Sequence, residues 1–143
     1  MGFFDSLFGG GKDYPPIDQS STAAGQLESL SSPLKEIAGS INDTLEVIPG
    51  DNSAYVFFGK PPKKFGVVWI EDGDKVINFK NLIEEKGISE VRLGALSQDL
   101  RQVYINHKDQ ARFTAKIDER EIIVTPSNML FDDLKKVVDE TLN

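Results

Sequence analysis

Apolar residues recur along this chain with period two in some stretches and with helical spacing in others, and the switches mark its elements. From Lys64 to Phe79, two β-branched and aromatic runs flank an Asp-Gly turn signal, the pattern of a β-hairpin. A three-residue loop Glu71-Asp72-Gly73, with Gly73 in the left-handed position, sets Phe65 opposite Phe79, Val67 opposite Ile77 and Trp69 opposite Lys75. Val68 then faces Val76 on the other side. A two-residue Asp72-Gly73 loop would place Glu71 against Asp74, a like-charge pair. Apolar pairs on both faces predict a sheet covered on both sides.

Phe113, Ala115 and Ile117 alternate with Arg112, Thr114 and Lys116, which makes a second, one-sided hairpin. A turn centred on Glu119-Arg120 sets Ile117 opposite Ile122, Ala115 opposite Val124 and Thr114 opposite Thr125, and places this hairpin near an edge of the sheet. Ala54 to Gly59 reads as one further strand. The basic run Lys60-Pro61-Pro62-Lys63-Lys64 reads as a solvated connection whose prolines stop strand pairing.

Helical spacing governs the rest. Ser32 and Pro33 form a helix start, after which Leu34, Ile37, Ile41, Leu45 and Ile48 share a face until Pro49-Gly50. Leu27 and Leu30 prolong this stripe upstream, so the helix is expected either to lie on the sheet or to pair with a second copy or a partner. Asn78 to Lys86 predicts a helix closed by Gly87. Residues 88–106 carry both signals: Val91 and Leu93 alternate, while Leu93, Leu96, Leu100 and Val103 step helically. Helix is favoured there, with Ser97 capping 98–106. After Pro126, Ser127 or Asn128 caps a last helix that buries Leu130, Leu134, Val137 or Val138, and Leu142. Asp132 and Asp133 lie early in it and Lys135 and Lys136 later, as the helix dipole favours. The expected fold is α+β: a mostly antiparallel sheet of two hairpins plus one further strand, covered by amphipathic helices. It is assigned to residues 33–143, with residues 1–32 as a flexible acidic N-terminal arm.

The tip of that arm holds Phe3, Phe4, Leu7 and Phe8 at helical spacing, followed by Gly9 to Gly11 and the stiff Tyr14-Pro15-Pro16. Eight residues do not hold a helix alone in water. The tip is a candidate docking peptide for a partner, a membrane interface or its own domain. A frayed end with incidental aromatics accounts for it equally well.

Charge alters the functional picture more than the fold. The chain has 143 residues and a net charge of −7. Residues 1–50 hold two lysines and seven acids, and residues 51–143 hold fourteen basic and sixteen acidic groups. The folded part is thus near neutral and lacks the cationic surplus that phosphate-backbone binding requires, so nucleic acid is not an expected partner. The absence of cysteine excludes disulfides, zinc thiolates and thiol catalysis. No apolar run reaches the roughly 20 residues of a membrane span, and the N-terminus lacks the basic start of a secretory signal, which sets a cytoplasmic expectation.

Catalytic chemistry finds little purchase. The single histidine, His107, sits in a polar Asn-His-Lys-Asp run and reads as a surface residue. The acids at the Glu71-Asp72-Asp74 tip do not follow the calcium-loop order, and no phosphate-binding glycine loop occurs. No catalytic residue, metal or cofactor is assigned. The sequence reading is a non-enzymatic interaction or scaffold domain, with a partner or self-association through Phe3, Phe4, Leu7 and Phe8. Its alternative is a small-molecule-binding domain with a pocket near the central hairpin, where Trp69 and Lys75 mark the candidate groove.

Overall fold

The computed structural model describes residues 14–142. In chain order the elements are α1 (Thr22–Ser29), α2 (Ser31–Ser40), β1 (Leu45–Gly50), β2 (Ser53–Lys60), β3 (Lys64–Glu71), β4 (Lys75–Ile77), α3 (Phe79–Lys86), α4 (Glu90–Asn106), β5 (Phe113–Ile117), β6 (Arg120–Val124) and α5 (Asn128–Leu142). The strands form one sheet in the order β4-β3-β2-β1-β6-β5. All neighbours are antiparallel except β1 and β6, which run parallel. The class is α+β with a mixed sheet, and no described helix is long and apolar enough to cross a membrane.

The sheet is covered on both faces, as its apolar pairs require. On one side α1 and α2 pack Ala24, Leu27, Leu34 and Ile37 against Leu45, Val47, Val56, Val68, Ile70, Ile122 and Val124. On the other, Leu82, Leu96, Leu100, Leu130 and Leu134 from α3, α4 and α5 cover Ile48, Phe57, Val67, Trp69 and Ile77. Ile17, Ala23, Ala24, Leu27 and Leu30 are all buried, so the packed body takes in residues well before 33.

The helix expected through Leu34 to Ile48 stops at Ser40, and β1 begins at Leu45. Leu45 and Ile48 are three residues apart, which matches a helical face. In a strand, an odd separation sends them to opposite faces, and each reaches a different core. The end of α2 is held by the Arg120 guanidinium, which donates to the carbonyls of Ala38, Ile41 and Asp43. Pro49 therefore lies within a central strand. Thr125 donates its N–H to the Val47 carbonyl (2.9 Å), so by alternation the Pro49 nitrogen faces the same side. That side has no partner there, because the β1–β6 ladder covers only Glu46 and Val47.

Both hairpins keep the expected facing but shift register by two residues. Trp69 pairs with Ile77, and Glu71 with Lys75, across a turn in which Asp72 and Gly73 have φ of 55° and 81°. Ile117 pairs with Arg120 and Ala115 with Ile122, around Asp118 at φ 56°. A shift of two preserves which face each side chain takes, so the cores are unaffected. The second hairpin ends the sheet as expected, and Pro15 to Ile17 run alongside β5: the Thr114 N–H donates to the Pro15 carbonyl and the Ile17 N–H to the Thr114 carbonyl, each at 2.8 Å.

The helix predicted over 79–86 is present, with reciprocal Asn78 and Asn81 caps at its start and Gly87 left-handed at its end. Helix also prevails over 88–106, starting earlier than expected because Ser89 rather than Ser97 caps it. Ser127 caps α5, which buries Leu130, Leu134 and Val138.

Candidate functional site

Glu46 is the odd residue of β1: a carboxylate in an otherwise apolar central strand, only 5% exposed. Strand alternation sends it to the face covered by α4 and α5, beside its cross-strand neighbours Phe57 on β2 and Ile123 on β6. An unpaired carboxylate there would cost several kcal/mol, so its lone pairs must find donors. Tyr104, on the last turn of α4, donates its hydroxyl to Oε1 at 2.6 Å. Arg112, just before β5, donates Nε to Oε2 at 3.0 Å, and Thr125, just after β6, donates its hydroxyl to the same oxygen at 2.6 Å.

Arg112 is anchored further by Nη1, which donates to the carbonyls of Lys108 (3.0 Å) and Gln110 (3.2 Å) and so fixes the turn leading out of α4. Its guanidinium carbon lies 5.5 Å from the centre of the Tyr104 ring. Burial pushes the Tyr104 hydroxyl well above the ordinary phenol range, and the Glu46 charge adds to this. Burial is the largest single influence and opposes the charge on Arg112, but Glu46 and Tyr104 together more than offset it and hold the guanidinium above its ordinary value. The Tyr14 hydroxyl is raised too, chiefly by burial, with Arg112 opposing and Glu46 adding.

These groups line one side of a cleft of about 780 Å³ at one end of the sheet. The α2–β1 link (Asn42, Asp43, Thr44) and the end of β2 (Gly59, Lys60, Pro61) form one wall, and Tyr104, Lys108 and Arg112 the other. Phe57, Glu46 and Ile123 make a floor across three neighbouring strands. Tyr14 closes an edge, held there by the hydrogen bonds of Pro15 and Ile17 to β5.

The Glu46 carboxylate accepts three hydrogen bonds, and burial keeps the phenol beside it protonated. Both oxygens of Glu46 are thus engaged by donors of the fold itself, Oε1 by one and Oε2 by two. Among the described residues no group of three or more acidic or histidine side chains is placed to hold a metal ion.

The sequence-derived groove is elsewhere. Trp69 is 1% exposed and donates its indole N–H to Glu71 Oε2 at 3.0 Å, while Lys75 is exposed and paired in register with Glu71. The two-residue shift replaces the expected Trp69–Lys75 boundary pair with a fully apolar Trp69–Ile77 pair. A smaller groove of about 330 Å³ lies near this hairpin tip, lined by Tyr55, Glu71 and Lys135 among others, but by neither Trp69 nor Lys75. Phe3, Phe4, Leu7 and Phe8 lie outside the described residues.

His107 is not a surface residue. It is 9% exposed and caps the end of α4, with Nε2 2.7 Å from Asp133 Oδ2 on α5. The near acid in sequence, Asp109, is not its partner; packing of α4 on α5 supplies one 26 positions away.

Sequence reasoning missed Glu46, Tyr104 and Arg112 because Glu46 fell on the polar side of an assumed helix and Arg112 on the outward side of a strand. The available signal was a single acid inside Leu45-Glu46-Val47-Ile48, which in a central strand demands a partner. Compared with known proteins, the chain matches no family, no characterised protein and no solved structure at a significant level.

Proposed function

We propose that this protein is a non-enzymatic binding domain that takes a small organic molecule in the Tyr14–Glu46–Tyr104–Arg112 cleft. The observation that carries this reading is the polar network on the floor and wall: three side chains, from α4 and the two ends of the β5–β6 hairpin, converge on the Glu46 carboxylate of β1, and Glu46, Tyr104 and Arg112 border an open cavity. The cavity's size is that of small-molecule sites, which run roughly 300–1,000 Å³, and its lining of aromatic side chains with a few fixed polar groups is the usual composition. The pocket stands at the opposite end of β3 from Trp69, so binding is best followed by melting temperature and amide resonances rather than by tryptophan emission. A ligand that binds only the folded state raises the melting temperature. A broad library that produces neither a thermal shift nor movement of Thr44, Gly59 and Ile123 resonances sinks the proposal.

A protein-interaction role is the second reading. Val91 and Met129 are 83% and 71% exposed, large apolar side chains that a partner would cover, and the Phe-rich tip adds to them. Sedimentation of the full chain against a chain starting at Tyr14 tests it. Identical monomeric behaviour of both, with no captured partner, argues against it.

A further inference from the structure

We infer that the molecule bound in the cleft is an organic anion, a flat apolar body ending in a carboxylate or phosphate, and that Arg112 receives the acidic head. This rests on the binding reading above and adds the ligand's charge and shape.

Three observations carry it. The first is the balance of charge around the cavity. Its charged lining is Lys60, Lys108, Arg112, Asp43 and Glu46, the two tyrosines there being neutral. Glu46 and Arg112 cancel one another, which leaves two lysines against Asp43, so the cleft is locally cationic in a chain whose net charge is −7. Among the described residues neither Lys60 nor Lys108 has an ion-pair partner, and both side chains are exposed at the rim. Counter-charge is therefore available to a ligand and not already used within the fold.

The second is the state of Arg112. Its Nε is engaged by Glu46 and its Nη1 by two backbone carbonyls, and its side chain is only 12% exposed. Among the described residues, Nη2 is the one nitrogen of the guanidinium that donates neither to Glu46 nor to a backbone carbonyl, with the Tyr104 hydroxyl as its protein neighbour. A guanidinium held on three contacts has already lost its rotamer freedom, so an anion meeting Nη2 faces a preorganised donor. Glu46 acts here as a positioning residue. It sets the orientation of Arg112, and its own oxygens are taken up by Arg112, Tyr104 and Thr125, which lowers its repulsion of an incoming anion.

The third is shape. Tyr104 has committed its hydroxyl to Glu46, and its ring lies between Arg112 and Phe57, so it borders the cleft with little free surface. Phe57 is fully buried beneath it, so the half-buried Tyr14 and Pro61 supply the flat apolar surface that a ligand meets. A planar body against Tyr14 and Pro61, with its acidic end toward Arg112 and between Lys60 and Lys108, meets the apolar and cationic parts of the lining and leaves Asp43 as the one opposing acid.

The test uses the full-length protein and four probes of similar shape: benzoate, phenyl phosphate, neutral benzamide and cationic benzylammonium. Each is titrated at low salt while amide resonances are followed. Benzoate or phenyl phosphate is expected to move Thr44, Gly59, Lys108 and Ile123, about tenfold tighter than benzamide, with benzylammonium inert. Which of the two anions binds tighter tells carboxylate from phosphate. Added salt is expected to weaken the binding. The double variant Lys60→Gln, Lys108→Gln, at two exposed rim positions, is expected to lose most of that preference with an unchanged melting temperature. Arg112→Lys removes the fixed fork and is expected to weaken the anions more than benzamide. Equal binding of benzamide or benzylammonium in the cleft overturns the anion assignment while leaving the binding reading intact. Anion binding that moves resonances elsewhere overturns the assignment as well. If no probe of any charge perturbs the cleft, both readings fall.

Discussion

Glu46 accepts from Tyr104, Arg112 and Thr125, and each of those donors depends on it in return. Removing one side of a buried pair strands the other, so the cost exceeds the worth of the bonds themselves. Glu46→Ala is expected to lower the unfolding free energy by about 3–5 kcal/mol in urea melts. A loss under about 1 kcal/mol would show that water replaces the carboxylate and that the network is not part of the core. The tyrosines give a second prediction. Burial is the leading cause that raises the hydroxyls of Tyr14, Tyr55 and Tyr104, which are all the tyrosines of the chain. Unfolded phenols ionise near pH 10 (about the model-peptide value), while the folded ones still hold their protons. The folded state then binds more protons than the unfolded one, so this stabilisation is complete below about pH 10 and is lost as pH rises through the folded values. Tyrosinate absorbance from Tyr55 and Tyr104, the two raised furthest, is expected to rise only together with alkaline unfolding. Two or more tyrosines titrating near pH 10 (about the model-peptide value) in a protein with intact circular dichroism contradict this.

At the scale of single elements, local chemistry sets the ends. Gly87 closes α3 with φ of 64°, a conformation that any Cβ strains, although a Cβ there would meet no neighbouring atom. Gly94 sits exposed inside α4, equally free of neighbours but with ordinary helical geometry. The same substitution should therefore act with opposite sign. Gly87→Ala is expected to cost about 1 kcal/mol, and Gly94→Ala to add about 0.5–1 kcal/mol, in matched denaturant melts. Destabilisation by both would mean that α4 bends at Gly94. Helices α3 and α5 were legible from the chain because Gly87 and Ser127 act within a few residues of their ends, and α4 from the stripe Leu93, Leu96, Leu100 and Val103, although its cap is Ser89 and not the expected Ser97. Strand β1 was not. Leu45, Glu46, Val47 and Ile48 satisfy a helical stripe and a two-faced strand alike, and no local interaction chooses between them. The hairpin registers show a similar limit. Alternation determines which face a side chain takes, but the register goes with Asp72 and Asp118 adopting positive φ, which alternation does not specify.

In the whole molecule one sheet serves two cores. Leu34 belongs to the layer of α1 and α2, and Leu134 to the layer of α3, α4 and α5, and both are essentially fully buried. Neither layer has strands of its own, so neither can unfold without baring the sheet. Leu34→Ala and Leu134→Ala are each expected to cost about 2–5 kcal/mol and to shift a single transition, with Trp69 emission and far-ultraviolet circular dichroism coincident. If the two probes separate in Leu34→Ala, the layers are independent units. The arrangement also explains the role of the first described residues: with Pro15 to Ile17 against β5 and α1 in the core, the segment before residue 33 contributes to the fold and brings Tyr14 to the cleft.

From sequence alone came the α+β class, the two-sided burial, the facing of both hairpins and the capped helices, because each follows from periodicity or from contacts a few residues long. The cleft did not. Tyr14, Glu46, Tyr104, Arg112 and Thr125 lie on five separate stretches, and no period relates them. They meet because β6 runs parallel to β1, which sets Ile123 beside Glu46 and brings the two ends of the second hairpin, Arg112 and Thr125, to the buried carboxylate. The same holds for His107 and Asp133, joined only by the packing of α4 on α5. A charged side chain in a central strand states that a partner must exist. Which residues answer it is decided by topology, through the desolvation cost that only a converging set of donors offsets.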